Sequence, residues 1–187
     1  MLKELILKNR SYRRFYQDHE VTESDLRDLI ELARLSPSAR NAQPLKYFLS
    51  FTPEVNSKIF PHLSWAGYLT GWPGPVEGER PSAYIVVLLD TAVADNCFCD
   101  DGIVTQSILL GATEKGLGGC IIASVNREKV KEALDLPEQY RILHVIALGK
   151  PKEVVQIEEM TGDDYKYWRD KTGVHHVPKR GVDDLIV

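Results

Sequence analysis

The sequence predicts an α+β fold in one domain spanning residues 1–187. Helix-period and strand-period segments interleave without a strict βαβ rhythm. The run Ala83 to Leu89 is apolar throughout, as a strand buried on both faces would be. Finally, 187 residues with 43% apolar content supply one substantial core and not two.

Taken in order, Leu2, Leu5 and Ile6 suggest a short helix ending near Asn9, and the basic segment Arg10 to Phe15 leaves it as a loop. Thr22, with Asp25 three residues on, starts a second helix. Leu26, Leu29, Ile30 and Ala33 fall on its inner face, and Ser36-Pro37 ends it. Tyr47 to Phe51 reads as a strand, and Glu54 to Phe60 as a short helix stopped by Pro61. Residues 64–81 hold four glycines, three prolines, two tryptophans and a tyrosine, so they form no regular element. Their aromatic surface makes them a lid or a partner-facing loop rather than a solvated linker. Residues 101–115 read as a helix capped by Gly116, and Gly118 to Ile122 as a short strand. Asn126 caps a further helix through Leu134, and Ile142 to Leu148 is a buried strand that Gly149-Lys150-Pro151 breaks. The remainder is polar and poorly periodic, and residues 177–187 form a tail whose apolar end, Leu185-Ile186-Val187, is expected to dock.

Composition narrows the function. A formal net charge of -4 gives no global basic field for nucleic acid or an anionic membrane. Charged residues interrupt the first ten positions, and no apolar run approaches the roughly 18 residues of a spanning helix. Three unevenly spaced cysteines, Cys97, Cys99 and Cys120, fit reduced thiols. The expectation is a cytoplasmic protein with neither nucleic acid nor membrane as partner.

Two constellations stand out. Arg10, Arg13 and Arg14 crowd around Ser11 and Tyr12 within a few residues of a helix end. Guanidinium forks, a hydroxyl and backbone N–H groups together suit a phosphate, although a solvated basic face explains them too. The second, Ser36-Pro37-Ser38-Ala39-Arg40-Asn41-Ala42-Gln43-Pro44, is a turn-rich connection whose amides also suit the donor and acceptor edge of a heterocycle. Gly116-Leu117-Gly118-Gly119 fails as a dinucleotide fingerprint because position 121 is isoleucine and the segment follows a helix. A metal site built from Cys97, Cys99, Asp100, Asp101, His175 and His176 lacks the paired spacing of structural zinc, so no metal is expected.

Arg10-Ser11-x-Arg13-x-Phe15 and Pro37-Ser38-Ala39-x-Asn41-x-Gln43-Pro44 resemble the two signature segments of the nitroreductase family. Gly116-Leu117-Gly118-Gly119-Cys120, Leu148-Gly149-Lys150-Pro151 and Pro178-Lys179-Arg180 resemble its later segments, in family order. The resemblance implies an FMN-binding α+β fold with a central, mostly antiparallel sheet flanked by helices, assembled as an interlocked homodimer whose flavins lie between subunits. It implies that Arg10, Ser11 and Arg13 meet the phosphate, ribityl chain and pyrimidine edge, with Arg180 and Lys179 completing the phosphate site. Pro37, Ser38, Ala39 and Asn41 would approach from the other subunit, Gln43 of the same segment would also bind the cofactor, and Gly118 and Gly119 would bring backbone close to the ring. The sequence departs from the family at Asn9, where many members carry a basic residue, and at Cys120-Ile121 after the glycines.

The implied activity is transfer of electron pairs from NADH or NADPH to a small organic acceptor such as a nitroaromatic or quinone, by a ping-pong mechanism. No side-chain catalyst is required; Arg13 is the candidate cation beside the reduced flavin. Trp65, Tyr68 and Trp72 would wall the substrate pocket or pack on the neighbouring subunit. A non-catalytic FMN carrier or sensor, or a specialised flavin oxidase or dehalogenase of the same fold, remains the alternative.

Overall fold

The computed structural model describes all residues, Met1–Val187. Eight strands and five helices follow in the order α1 (Leu2–Lys8), β1 (Phe15–Tyr16), α2 (Glu23–Leu35), β2 (Leu45–Ser50), α3 (Pro53–Ile59), β3 (Ala83–Asp90), α4 (Asp100–Glu114), β4 (Gly118–Ile122), α5 (Arg127–Ala133), β5 (Tyr140–Pro151), β6 (Val155–Glu159), β7 (Trp168–Arg169) and β8 (His175–Lys179). The local chemistry expected for the second helix is present: Thr22 and Asp25 cap α2 reciprocally, and Leu26, Leu29 and Ala33 are buried on its inner face.

One antiparallel sheet organises the molecule. β3 lies between β2 and β5, and every one of its eight residues is buried. Successive side chains of a strand point to opposite faces. Ala83, Ile85 and Val87 accordingly join α2 and α4 in one core, while Tyr84, Val86 and Leu88 join Ile59, Trp65 and Val130 in the other. The outer edge of β5 is shared, with β4 pairing at Val145 to Gly149 and β1 pairing at Lys150 and Pro151.

That sharing corrects one expectation. Gly149 does not break the strand; a side chain there would meet the Phe15 ring at 3.0 Å, so glycine lets β5 run on while Phe15 packs against it. α3 ends at Ile59, just ahead of Pro61 as expected, and Phe60–His62 follow as a single tight turn. The C-terminal part, unreadable by periodicity, forms a second sheet in which β8 pairs parallel to β6 and antiparallel to β7. The expected docking tail therefore begins as a strand, and beyond it Leu185, Ile186 and Val187 stand exposed on the single chain. α1 also buries none of its residues, leaving Leu2, Ile6 and Leu7 exposed. No helix is long and apolar enough to cross a membrane.

Candidate functional site

The loop Asn9 to Arg14 is drawn onto β4, where the Tyr12 N–H donates to the Gly119 carbonyl at 3.0 Å. Neither glycine of that strand could carry a side chain. A Cβ on Gly119 would lie 2.7 Å from the Ala147 carbonyl oxygen and from Leu109, and one on Gly118 would strike the Tyr12 ring at 2.5 Å. The backbone of the basic loop is fixed from the far end of the chain. Glu153, 6% exposed, accepts from the N–H groups of Arg13 and Arg14, and from Arg169 Nη2 at 2.9 Å.

Beside this junction is a cavity of about 330 Å3, lined by Arg10, Ser11, Arg13, Gly119 and, from β8, Lys179, all of the expected set. Asn9, Gln106, Tyr167 and His175 add polar and aromatic wall, Leu109, Ile121 and Val177 the apolar remainder, and no carboxylate lines it. The adjacent arginines are sorted. Arg14 forms a bidentate pair with Glu79, both contacts at 2.6 Å, which holds the Glu79 carboxyl down at about 2. Arg13 turns the other way. Its guanidinium donates to the Ser11 carbonyl at 3.1 Å, lies 3.3 Å from His175 Nε2 and rests 5.0 Å from the Tyr167 ring centroid. Arg10 donates only to the Ile6 carbonyl, at 2.6 Å, and its Nε is buried without a partner. His175, 1% exposed, keeps an unpartnered Nδ1, and burial beside Arg13 and Arg169 holds its imidazole down at about 4. Three cations without a carboxylate partner, two of them on one short loop, fit a phosphorylated ligand.

Other expected residues lie elsewhere on the single chain. Pro37, Ser38 and Gln43 line a separate cavity of about 640 Å3 between α2, β2 and the start of α4. There Asp100, 2% exposed, accepts from Ser38 Oγ at 2.6 Å and from the Ala39 N–H at 2.9 Å. The loop it ties down carries three non-glycine residues in the left-handed region, Arg40, Asn41 and Gln43, at φ 55°, 53° and 51°. Burial, with Asp100 nearby, pushes the Tyr47 hydroxyl on the same cavity up to about 12. Arg180 pairs with Asp163 at 3.5 Å and does not line the cationic cavity, whereas Lys179 does.

The aromatic segment divides as well. Trp65 is 8% exposed and packs in the core against Phe60, under Gly74, which corrects its expected place in a pocket wall. Trp72 lies under Arg169, with 4.6 Å from guanidinium to ring centroid. Tyr68 is the exposed member, edge-on to Tyr165 and to Tyr167, which itself lines the cavity. Tyr167, Glu153 and Gln106 escaped sequence reasoning, and His175 entered it only as one of a histidine pair. No group of three or more His, Cys, Asp and Glu side chains is gathered to hold a metal. Burial pushes the Cys120 thiol up, so it stays protonated beside the cavity.

The fold and site thus define an α+β protein in which an antiparallel sheet presents a carboxylate-free, cationic cavity at the meeting of its N-terminal loop, its glycine strand and its C-terminal strand. The model of the family described as "Nitroreductase family" matches residues 6–68 and 94–150, and the chain belongs to that family. The curated Archaeoglobus fulgidus protein named "Putative NADH dehydrogenase/NAD(P)H nitroreductase" is 28% identical, over 80% of this chain and 85% of its own. A solved nitroreductase family protein from Clostridium novyi NT is 27% identical with a TM-score of 0.68, covering 81% of this chain and 87% of that one. A structure from Exiguobacterium sibiricum, described as a "putative nitroreductase in complex with FMN", shares the fold at 18% identity, with a TM-score of 0.69 and coverage of 81% and 89%. The matched stretches end before β8, so Lys179 and His175 lie outside them.

Proposed function

We propose that the protein is an FMN-dependent oxidoreductase that passes electron pairs from NADH or NADPH to a small organic acceptor such as a nitroaromatic or quinone. The observation that carries this reading is the cavity where Arg10, Arg13 and Lys179 converge with no carboxylate among the lining residues. When bound, FMN supplies the redox chemistry, accepting a hydride equivalent from the nicotinamide and delivering electrons to the acceptor. The residues of this chain bind and orient. Arg10, Ser11 and Lys179 hold the phosphate and ribityl end, and Arg13 supplies a fixed positive charge where negative charge develops on reduction. Gly118 and Gly119 keep β4 close to the cavity.

Pro37, Ser38, Ala39, Asn41 and Gln43 complete the site from a second copy of the chain. The unburied apolar faces of α1 and of Leu185 to Val187 support a homodimer, since a single chain covers neither. Tyr68, at the outer end of the tyrosine cluster, faces the acceptor. Because one face serves donor and acceptor alternately, the kinetics are ping-pong.

The test is an absorbance spectrum of the purified protein with added FMN, then anaerobic NADH and NADPH. Flavin bands near one per subunit that bleach with a nicotinamide, and parallel double-reciprocal plots with a nitroaromatic or quinone, support the reading. Failure to take up FMN defeats it, and uptake without turnover of any acceptor leaves a carrier in its place.

A further inference from the structure

The Arg13 guanidinium is held by neutral groups alone. Its neighbours are a carbonyl oxygen, a tyrosine ring and an imidazole nitrogen, whereas Arg14 and Arg169 each have a carboxylate in hydrogen-bond contact. The difference is not one of availability. Glu153 receives the Arg13 backbone N–H, so a carboxylate is within reach of this residue and fixes its main chain, while the guanidinium points elsewhere. An arginine can only donate, so His175 Nε2 must accept, which requires the neutral imidazole with its proton on Nδ1. Burial, first, and the positive charges of Arg13 and Arg169 keep that imidazole neutral, its pKa lowered to about 4.

We infer that His175 is a positioning residue that fixes the Arg13 guanidinium at the cavity wall without neutralising it, so that its full charge is presented to the bound flavin where negative charge develops on reduction. A carboxylate there would hold the arginine equally well but cancel its charge, as Glu79 cancels that of Arg14. Histidine, delivered by β8 with its backbone N–H tied to the Val154 carbonyl at 2.9 Å, provides the acceptor and leaves the charge free. Tyr167 supports the same arrangement, its ring tilted by 38° against His175 with centroids 5.1 Å apart and lying under Arg13. The assignment rests on the FMN reading for its ligand.

The test compares His175→Gln, His175→Glu and His175→Phe in the full chain. FMN dissociation constants are read by flavin fluorescence, and each variant's fold is checked by thermal unfolding. Glutamine and glutamate have nearly the same shape and each offers an oxygen that accepts from Arg13; glutamate adds the negative charge. The glutamine variant is expected to bind FMN within about threefold of the parent. The glutamate and phenylalanine variants are each expected to bind roughly tenfold or more weakly, the scale of one lost charge-assisted contact. Equal binding by the glutamine and glutamate variants overturns the inference, because a purely structural acceptor would not distinguish them. A glutamine variant as weak as the phenylalanine one also overturns it, since a neutral acceptor at this position would then not be enough to hold Arg13 in its place. Should the phenylalanine variant fail to fold, the glutamine and glutamate pair still decides. A parent protein that takes up no FMN overturns the proposed function instead, a result separate from any ranking of the variants.

Discussion

Asp100→Ala tests what holds the signature loop in its shape. In the parent, Arg40, Asn41 and Gln43 adopt left-handed backbone conformations that cost non-glycine residues roughly 1 kcal/mol each, less for asparagine. Some 2–3 kcal/mol of unfavourable conformation is therefore concentrated in four residues. The buried Asp100 carboxylate offsets it through the Ser38 hydroxyl and the Ala39 N–H. Hydrogen bonds to a charged group contribute about 1.5–3 kcal/mol each, enough together to exceed the strain. Alanine removes both acceptors at once, so the loop should relax or destabilise the whole fold by about 2–4 kcal/mol. At roughly 2–4 °C per kcal/mol for a chain of this size, global destabilisation of 3 kcal/mol lowers Tm by about 6–12 °C. Local release would leave Tm nearly unchanged and raise amide exchange and proteolysis at residues 38–43. Thermal unfolding with hydrogen exchange mapped by mass spectrometry separates the two. A variant with parental Tm and parental protection in that loop would refute the reasoning, because the strained turn would then need no anchor.

Arg10→Ala should weaken FMN binding by roughly tenfold or more, since it removes one unpaired cation from the cavity; isothermal titration checks this, and an unchanged dissociation constant removes Arg10 from the site. Gly119→Ala forces a Cβ to within 2.7 Å of the Ala147 carbonyl oxygen, and should cost about 1–3 kcal/mol in urea unfolding while also weakening FMN binding through the displaced Arg10 to Arg14 loop. Stability should fall as pH drops from His175's ordinary value near 6.5 to about 4, because the unfolded imidazole takes a proton that the native one refuses; this contributes roughly 2–3 kcal/mol, and His175→Gln should remove that part while leaving the smaller loss of the same sign from His144, which burial also holds down. Below the ordinary carboxylate range a second loss follows as Glu79, held down to about 2 by Arg14, becomes protonated, and Glu79→Gln should remove most of that acid-sensitive component.

Much of the fold was legible because its signals are local. The reciprocal cap at Thr22 and Asp25, the glycine ending α4 and the wholly apolar β3 carry their structure in a few adjacent residues. The second sheet was not legible, since β7 has two residues and exists only by pairing with β8. The basic loop was visible as a cluster, yet nothing in Arg13-Arg14 tells which arginine is neutralised, because Glu79 lies 65 residues further on. The aromatic content of residues 64–81 was plain, whereas the burial of Trp65 and the exposure of Tyr68 depend on packing against Gly74 and Tyr167. Backbone strain at Arg40, Asn41 and Gln43 had no sequence signature, as none of the three is glycine.

The anion cavity joins residues 10 and 179, and its order of assembly follows from that span. As the chain emerges from a ribosome, the main sheet has all its strands once residue 151 is free, so its core can close early. The Arg10 to Arg14 segment then waits for Glu153, and the guanidinium of Arg13 waits for His175. A nascent chain cut short before β8 would be folded over most of its length and still lack Tyr167, His175 and Lys179 in their places. The proposed ligand site is thus completed only by residues 167–179, which follow the last strand of the main sheet.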